Sequence, residues 1–109
     1  MELIYVYQPA QDVAAAAAFY RDRLGYEETW RDGTDTVAFQ LPGSSAQLMV
    51  STTPQPPGLM FRVEDVVAWA SERPELTVAV PRFAIPGGSV LGLDGPEGSV
   101  FYVYDQPGA

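Results

Sequence analysis

Four tyrosines occupy alternate positions in two stretches that resemble β-strands. Tyr5 and Tyr7 lie in residues 3–7, and Tyr102 and Tyr104 lie in residues 100–104. Because side chains alternate across a strand, each pair shares one face. A tyrosine ring can stack on a planar molecule while its hydroxyl hydrogen-bonds. The spacing therefore predicts a surface for a small planar ligand, the alternative being that these rings fill a closed core.

Arg62 is a single cation on an otherwise apolar strand, where it shares a face with Met60. A buried arginine requires a partner, which could be a ligand carboxylate, a stacked ring or an internal acid such as Asp105. The sequence leaves two roles open for Arg62, a ligand anchor or one half of a structural ion pair.

Further candidate ligand-contacting residues are those whose side chains are expected on the same side of the sheet as the tyrosines. Alternation cannot establish the direction of Trp30 and Phe39, and core packing is the stronger alternative for Phe39. Arg82 and Phe83 are expected in a loop or strand end that closes over a ligand. The full predicted ligand-contacting set is Tyr5, Tyr7, Trp30, Phe39, Gln47, Met49, Met60, Arg62, Tyr102 and Tyr104.

The predicted strands and helices that position these residues form a twofold repeat. The two copies are offset by 53 residues, the separation of Asp12 and Asp65. Each copy has an apolar strand, an acidic residue suited to capping a helix, an amphipathic helix and three short strands. The first helix is expected over residues 12–24, ended by Gly25, and the second from Asp65 to before Pro74. The pattern predicts an α+β fold: two tandem βαβββ modules forming a curved, cup-like mixed sheet with helices on the outer face.

Turn residues separate the predicted strands. The strands are expected at residues 3–7, 27–31, 36–41, 46–51, 59–63, 76–80, 89–93 and 100–104. A linker rich in proline at residues 52–58 divides a first module, residues 1–53, from a second, residues 54–109. Modules of this size are marginal alone, so we expect residues 1–109 to form a single domain.

The charge balance excludes some partners. Fourteen acidic residues and six arginines give a net charge of −8, which argues against nucleic acid and anionic membranes and is compatible with a cationic ligand. The chain has no cysteine and no histidine. No apolar run approaches about 20 residues, and Met1-Glu2 enters a strand without a basic segment, which predicts a cytoplasmic protein without a secretory signal.

Three stretches resemble the vicinal oxygen chelate superfamily of glyoxalases, bleomycin-resistance proteins and dioxygenases. They are residues 12–26, Phe61-Arg62-Val63-Glu64-Asp65, and Asp94-Gly95-Pro96-Glu97-Gly98. Together with the repeat, the resemblance covers nearly the whole chain. It implies paired modules, frequent dimers and, in most enzymes of the superfamily, a divalent metal held by His, Glu or Gln.

The positions that match those metal ligands depart from the pattern. Counting back from the helix caps gives Tyr5 and Gly58, and the last strands give Gln47 and Tyr102, within one or two residues. Glycine has no side chain, and neutral tyrosine is a poor ligand near pH 7. We therefore expect no metal and no other cofactor, assign no catalytic residue, and favour a binding protein over an enzyme.

The resemblance and the aromatic face together favour the branch most like bleomycin-resistance proteins. The expected function is metal-independent sequestration of a small planar or aromatic compound, such as an antibiotic or natural product. The alternatives are a metal-independent isomerase, lyase or cyclase using Tyr5, Tyr102 or Arg62, and a degenerate module that only mediates association. The expected partners are a small molecule and a second copy of the chain, in a homodimer.

Overall fold

The computed structural model describes residues 1–108, which form two units. One unit comprises Ile4–Pro57, and the other comprises Met1–Leu3 with the chain from Gly58 onward. The division falls at the end of the predicted linker. Each unit has the order β-α-β-β-β, and the predicted α+β class is confirmed. Among the described residues, no helix is long and apolar enough to cross a membrane.

The first unit contains four strands in the order β2-β3-β4-β1. Strand β1 pairs parallel with β4, and the other neighbours are antiparallel. Its elements are β1 (Glu2–Pro9), which begins two residues before the unit, α1 (Val13–Ala18), β2 (Glu27–Asp32), β3 (Thr36–Gln40) and β4 (Gln47–Ser51).

The single helix expected over residues 12–24 is two pieces. The Asp12 side chain accepts a hydrogen bond from the Ala15 backbone N–H at 2.9 Å, capping α1 as predicted. After Ala18 the chain widens into a π-helical turn over Phe19–Arg23, which propensity does not predict. Gly25 then adopts the left-handed conformation at φ +70° and ends the segment.

One face of the first unit's sheet packs beneath α1. The buried core there consists of Val13, Ala17, Val37, Phe39, Leu48 and Val50. Tyr20 and Tyr26 lie at its margin, with their rings stacked at 5.9 Å between centroids. A six-residue helix is too short to be stable alone, so this packing must stabilise it. The opposite side of the sheet is called the helix-free face below.

The second unit repeats the arrangement in the order β5-β8-β7-β6. Strands β5 and β8 pair parallel, and the remaining neighbours are antiparallel. The elements are β5 (Gly58–Arg62), α2 (Val66–Ser71), β6 (Val78–Ile85), β7 (Gly88–Asp94), a 3-10 turn (Pro96–Gly98) and β8 (Val100–Asp105). Asp65 caps α2 through the Ala68 backbone N–H.

The second core lies beneath α2 and contains Val66, Leu91, Leu93 and Val103. Trp69 packs against it, as expected from its helix position. Strand β6 differs from prediction because it continues past Pro81 to Ile85, with pairing irregularities on both sides of Val80. Arg82 and Phe83 therefore lie within a strand, where a loop or strand end was expected, because bulges let a strand continue through a proline.

Candidate functional site

A row of four side chains crosses the helix-free face of the first unit. Trp30 is opposite Ala38, Ala38 is opposite Met49, and Met49 is opposite Tyr7. Neighbouring Val37 and Phe39 lie in the core beneath α1, so alternation places Ala38 and its row on the other side. Ala38 contributes only a methyl group, which leaves room above β3 for longer side chains from both neighbouring strands.

The direction of Trp30 depends on a β-bulge at Thr29. Glu28 pairs with Phe39 and Trp30 pairs with Ala38, so Thr29 is an extra residue in β2. The bulge lets Thr29 and Trp30 both contact groups on the helix-free face. It also places Glu28 and Arg31 on the other face, where they form an ion pair at 2.8 Å. Trp30 therefore belongs to the predicted surface.

Tyr5 and Trp30 form the aromatic part of this surface. Their ring centroids are 6.0 Å apart and their planes meet at 81°, an edge-to-face contact. Both side chains are half-buried. Tyr5 is also opposite Gln47 across the parallel β1–β4 pair. Two perpendicular ring planes thus lie beside a side-chain amide.

Gln47 is held by a hydrogen bond that crosses β3. The Thr29 hydroxyl donates to Gln47 Oε1 at 2.6 Å, and Gln47 is itself half-buried. The amide oxygen therefore already accepts one hydrogen bond from within the chain. Among residues 1–108, the Gln47 Nε2 group donates no hydrogen bond. Thr29 was missed from the sequence because a bulge has no residue signature in an ordinary strand.

Tyr7 is more deeply buried than a ligand-contacting residue requires. It is 4% exposed, and its hydroxyl donates to the Thr53 backbone carbonyl. Burial raises the pKa of the Tyr7 phenol above its ordinary value of 10.0, with a backbone hydrogen bond at Gln55 acting in the opposite direction. Tyr7 thus attaches the segment after β4 to the sheet.

Phe39 does not lie on the helix-free face. It is fully buried in the α1 core, and its ring lies 5.9 Å from that of Tyr20. Its cross-strand partner Leu48 is in the same core. The ligand-contacting assignment of Phe39 is therefore wrong, and core packing, the alternative, is what the structure has.

In the second unit, Tyr102 is enclosed by glycines on both neighbouring strands. It is 1% exposed. A Cβ atom at Gly58 would lie 3.5 Å from Tyr102 Cε2, and one at Gly92 would lie 3.0 Å from Tyr102 Cε1. The ring occupies the space that side chains at 58 and 92 would need. Met60 and Tyr104 are also buried, at 6% and 3% exposure.

Arg62 is exposed and lies opposite Tyr104. The ion pairs formed among residues 1–108 use Arg21, Arg31 and Arg73 and do not include Arg62. The structural pairing with Asp105 is not what the structure has, because the Asp105 carboxylate accepts from the backbone N–H groups of Val66 and Ser89. The ligand-anchor role stays a prediction.

A shallow cleft of about 880 Å³ lies elsewhere, beside α2. Its lining includes Trp69, Arg82 and Asp105. Arg82 therefore borders the helix side of the second unit, whereas Phe83, opposite Val90, lies on the other side of that unit's sheet. The sequence predicted neither placement, because the bulges in β6 change its alternation.

The residues at the superfamily's metal positions do not fit a metal ion. Tyr5 and Gln47 are cross-strand neighbours, but Tyr102 pairs with Met60, so the residue beside Gly58 is Val100. A Cβ at Gly58 would lie 2.2 Å from the Val100 carbonyl oxygen, which leaves no space for a ligand side chain. Within residues 1–108, no three His, Cys, Asp or Glu side chains are grouped as metal ligands.

Comparisons with solved structures identify the fold. No protein-family model and no curated protein matches the sequence. A structure described as an NAD-dependent benzaldehyde dehydrogenase from Legionella pneumophila has a TM-score of 0.74 at 13% identity, covering 94% of this chain and 97% of its own. A glyoxalase/bleomycin resistance protein/dioxygenase superfamily member from Vibrio splendidus has 0.63 at 15%, covering 95% and 97%.

A methylmalonyl-CoA epimerase from Streptomyces coelicolor is also similar, with a TM-score of 0.68 at 17% identity and 98% coverage of both chains. At these identities the likeness concerns the fold alone. The chain has the vicinal oxygen chelate fold, as the resemblance predicts.

Proposed function

We propose that this protein binds a small planar or aromatic compound, without a metal, at the helix-free face of its first unit. The observation that carries the proposal is the perpendicular Tyr5–Trp30 pair, half-buried beside Gln47. Half-buried aromatic rings next to a polar group are typical of sites that take flat ligands. Bound without conversion, an antibiotic or natural product would be sequestered, in the cytoplasm if the predicted location holds.

Burial narrows the part of the predicted surface that a ligand can reach. Tyr7, Met60, Tyr102 and Tyr104 are each no more than 6% exposed, so side chains of this chain already cover them. Tyr5, Trp30, Gln47 and Met49 are half-buried in the first unit, and Arg62 is exposed in the second. The proposal therefore rests on the first four.

Trp30 fluorescence tests the proposal directly. The chain has two tryptophans, and Trp69 packs in the α2 core. In a Trp69→Phe variant the emission comes from Trp30 alone, and we expect saturable quenching by planar bicyclic compounds. The Trp30→Phe variant, in which Trp69 reports, is the matched control and should give no saturable signal. A flat Trp30 response across a broad panel of planar compounds would contradict the proposal.

Recovery of the compound separates binding from turnover. Sequestration predicts that a bound compound is returned unchanged after prolonged incubation. A new product would favour the alternative, a metal-independent isomerase, lyase or cyclase. In that case Tyr5→Phe should lower the rate, since the Tyr5 hydroxyl would be the acid, whereas Tyr102 is too enclosed to reach a substrate in the described arrangement.

A further inference from the structure

We infer that Gln47 selects ligands that carry a hydrogen-bond acceptor, such as a ring carbonyl, over purely hydrocarbon rings. The inference rests on the proposed function and specifies the class of compound. The oxygen and the nitrogen of the Gln47 side-chain amide differ in their hydrogen bonding. The oxygen accepts a hydrogen bond from the Thr29 hydroxyl at 2.6 Å, and the nitrogen donates to no group among residues 1–108.

The Thr29 hydrogen bond favours one orientation of the amide. An unrestrained glutamine can rotate to offer its oxygen or its nitrogen to a ligand. With Oε1 accepting from Thr29, Nε2 is the end that makes no hydrogen bond within residues 1–108, and it carries two N–H donors. A donor held before the ligand arrives loses little conformational freedom on binding. The site is thus arranged for an acceptor.

The aromatic pair places a ring beside that donor. Tyr5 is the cross-strand neighbour of Gln47, on strands about 4.8 Å apart, and Trp30 contacts Tyr5. A planar ligand that contacts either ring plane lies within reach of the Gln47 amide. A ring with a carbonyl on its edge can satisfy both contacts, whereas a hydrocarbon ring leaves the half-buried N–H groups without a protein or ligand partner.

Thr29 acts as a positioning residue in this arrangement. It lies two strands from Gln47 and reaches it only because the bulge directs its side chain to the helix-free face. Thr29→Val removes the hydroxyl while keeping the side-chain shape. We expect that change to lower the preference for acceptors, because the amide can then turn, and Thr29→Ser to restore it.

The experiment compares coumarin, a planar bicyclic lactone, with naphthalene, a hydrocarbon of similar size, by isothermal titration calorimetry. We expect the wild-type protein to bind coumarin roughly fivefold more tightly, the effect of about one neutral hydrogen bond. Gln47→Leu should remove this ratio, and Gln47→Glu should remove it by replacing the donor with acceptors. Gln8→Glu, the same charge change at an exposed position of β1, should leave the ratio unchanged.

The possible results distinguish failure of the Gln47 inference from failure of the proposed binding function. Binding of both compounds with equal affinity, or a ratio that persists in folded Gln47→Leu, would overturn the role of Gln47 and leave the binding proposal standing. No binding of either compound to the wild-type protein would overturn the inference, and a flat Trp30 response across the broad panel of planar compounds would overturn the binding proposal as well. A ratio lost in Gln47→Leu and Thr29→Val but kept in Thr29→Ser and Gln8→Glu would support the inference. Circular dichroism establishes that each variant is folded.

Discussion

The Asp105 carboxylate connects the start of one helix to the start of one strand. It is 8% exposed and accepts from the backbone N–H groups of Val66 at 2.7 Å and Ser89 at 3.1 Å. Val66 is the first residue of α2, and Ser89 is near the start of β7. One side chain thus satisfies two donors that would otherwise be buried without partners.

We expect Asp105→Ala to lower the free energy of unfolding by about 2–4 kcal/mol, because two buried N–H groups lose a charged acceptor. Asp65→Ala, which removes the α2 cap from the same helix end, should cost about 1 kcal/mol. Urea denaturation measures both. Equal losses would contradict the connecting role of Asp105.

Ionisation of the Tyr7 phenol should lower the free energy of unfolding at alkaline pH. Burial raises the pKa of its phenol in the folded protein above the unfolded value of 10.0. The neutral form is favoured by folding, so this contribution is complete below pH 10.0 and is lost as the pH rises through the folded pKa. Tyr7→Phe cannot ionise and should show a smaller fall in stability between pH 9 and about pH 11.

Chemical denaturation across that range, in a buffer series of constant ionic strength, measures the difference. Tyr26→Phe removes one phenol from the margin of the α1 core and is the matched control. A wild-type protein and Tyr7→Phe variant with parallel pH profiles would contradict the effect of burial on Tyr7.

Among the site residues, the sequence predicted those whose strands are regular. Tyr5, Gln47 and Met49 lie where alternation places them. Trp30 could not be oriented from sequence because the bulge at Thr29 is created by pairing with β3, a long-range contact that residue types do not reveal. Phe39 was assigned to the ligand surface although its regular alternation with Val37 places both beneath α1.

At the scale of elements, packing in the second unit depends on Gly92. A Cβ at this position would lie 2.6 Å from Val80 Cβ and 3.0 Å from Tyr102 Cε1. Both neighbours are buried and the first contact involves an atom next to the backbone, so little relaxation is possible. Gly92 pairs regularly with β8 but lies between two register shifts in its pairing with β6, and the requirement is for space between the three strands.

We expect Gly92→Ala to destabilise the protein by about 1–3 kcal/mol through overpacking. Gly95→Ala is the control: its Cβ would meet the flexible Ser99 Oγ at 2.5 Å, which can rotate away. Thermal unfolding compares the two. A Gly92→Ala variant as stable as Gly95→Ala would show that the Tyr102 enclosure is looser than described.

Element boundaries were predictable where a local signal exists. Asp12 and Asp65 cap the two helices, and Gly25 ends the first helical segment. The π-helical turn and the length of β6 were not predictable, because both reflect how the backbone accommodates contacts distant in sequence. Strand β6 also continues through Pro81 as an irregular strand, beyond the predicted end at residue 80.

At the scale of the whole molecule, the fold was predictable because the repeat supplies the same local signals twice, in order and spacing. Those signals require only short-range patterns, and the solved structures agree with the fold they imply. The assembly state depends on surfaces that the pattern does not describe. The homodimer therefore remains a proposal, drawn from the resembling families.

Native mass spectrometry of the purified protein tests assembly and metal content together. We expect twice the 11.8 kDa chain mass with no stoichiometric metal, because Tyr5, Gln47 and Gly58 offer a poor donor set. Static light scattering at micromolar concentration is the independent measurement of mass. A monomer would contradict the dimer, and stoichiometric zinc, iron, nickel or manganese would contradict the metal-independent proposal.

The backbone edges of strands β2 and β6 affect how copies of this chain associate in concentrated solution. Strands β2 and β6 each pair with a single neighbour, so each leaves one backbone edge open. Pro81 has no N–H to offer another strand, both strands are irregular, and β2 carries the Glu28–Arg31 pair. These edges are poor templates for strand addition, so self-association should stop at a defined oligomer that uses other surfaces and not continue into fibres.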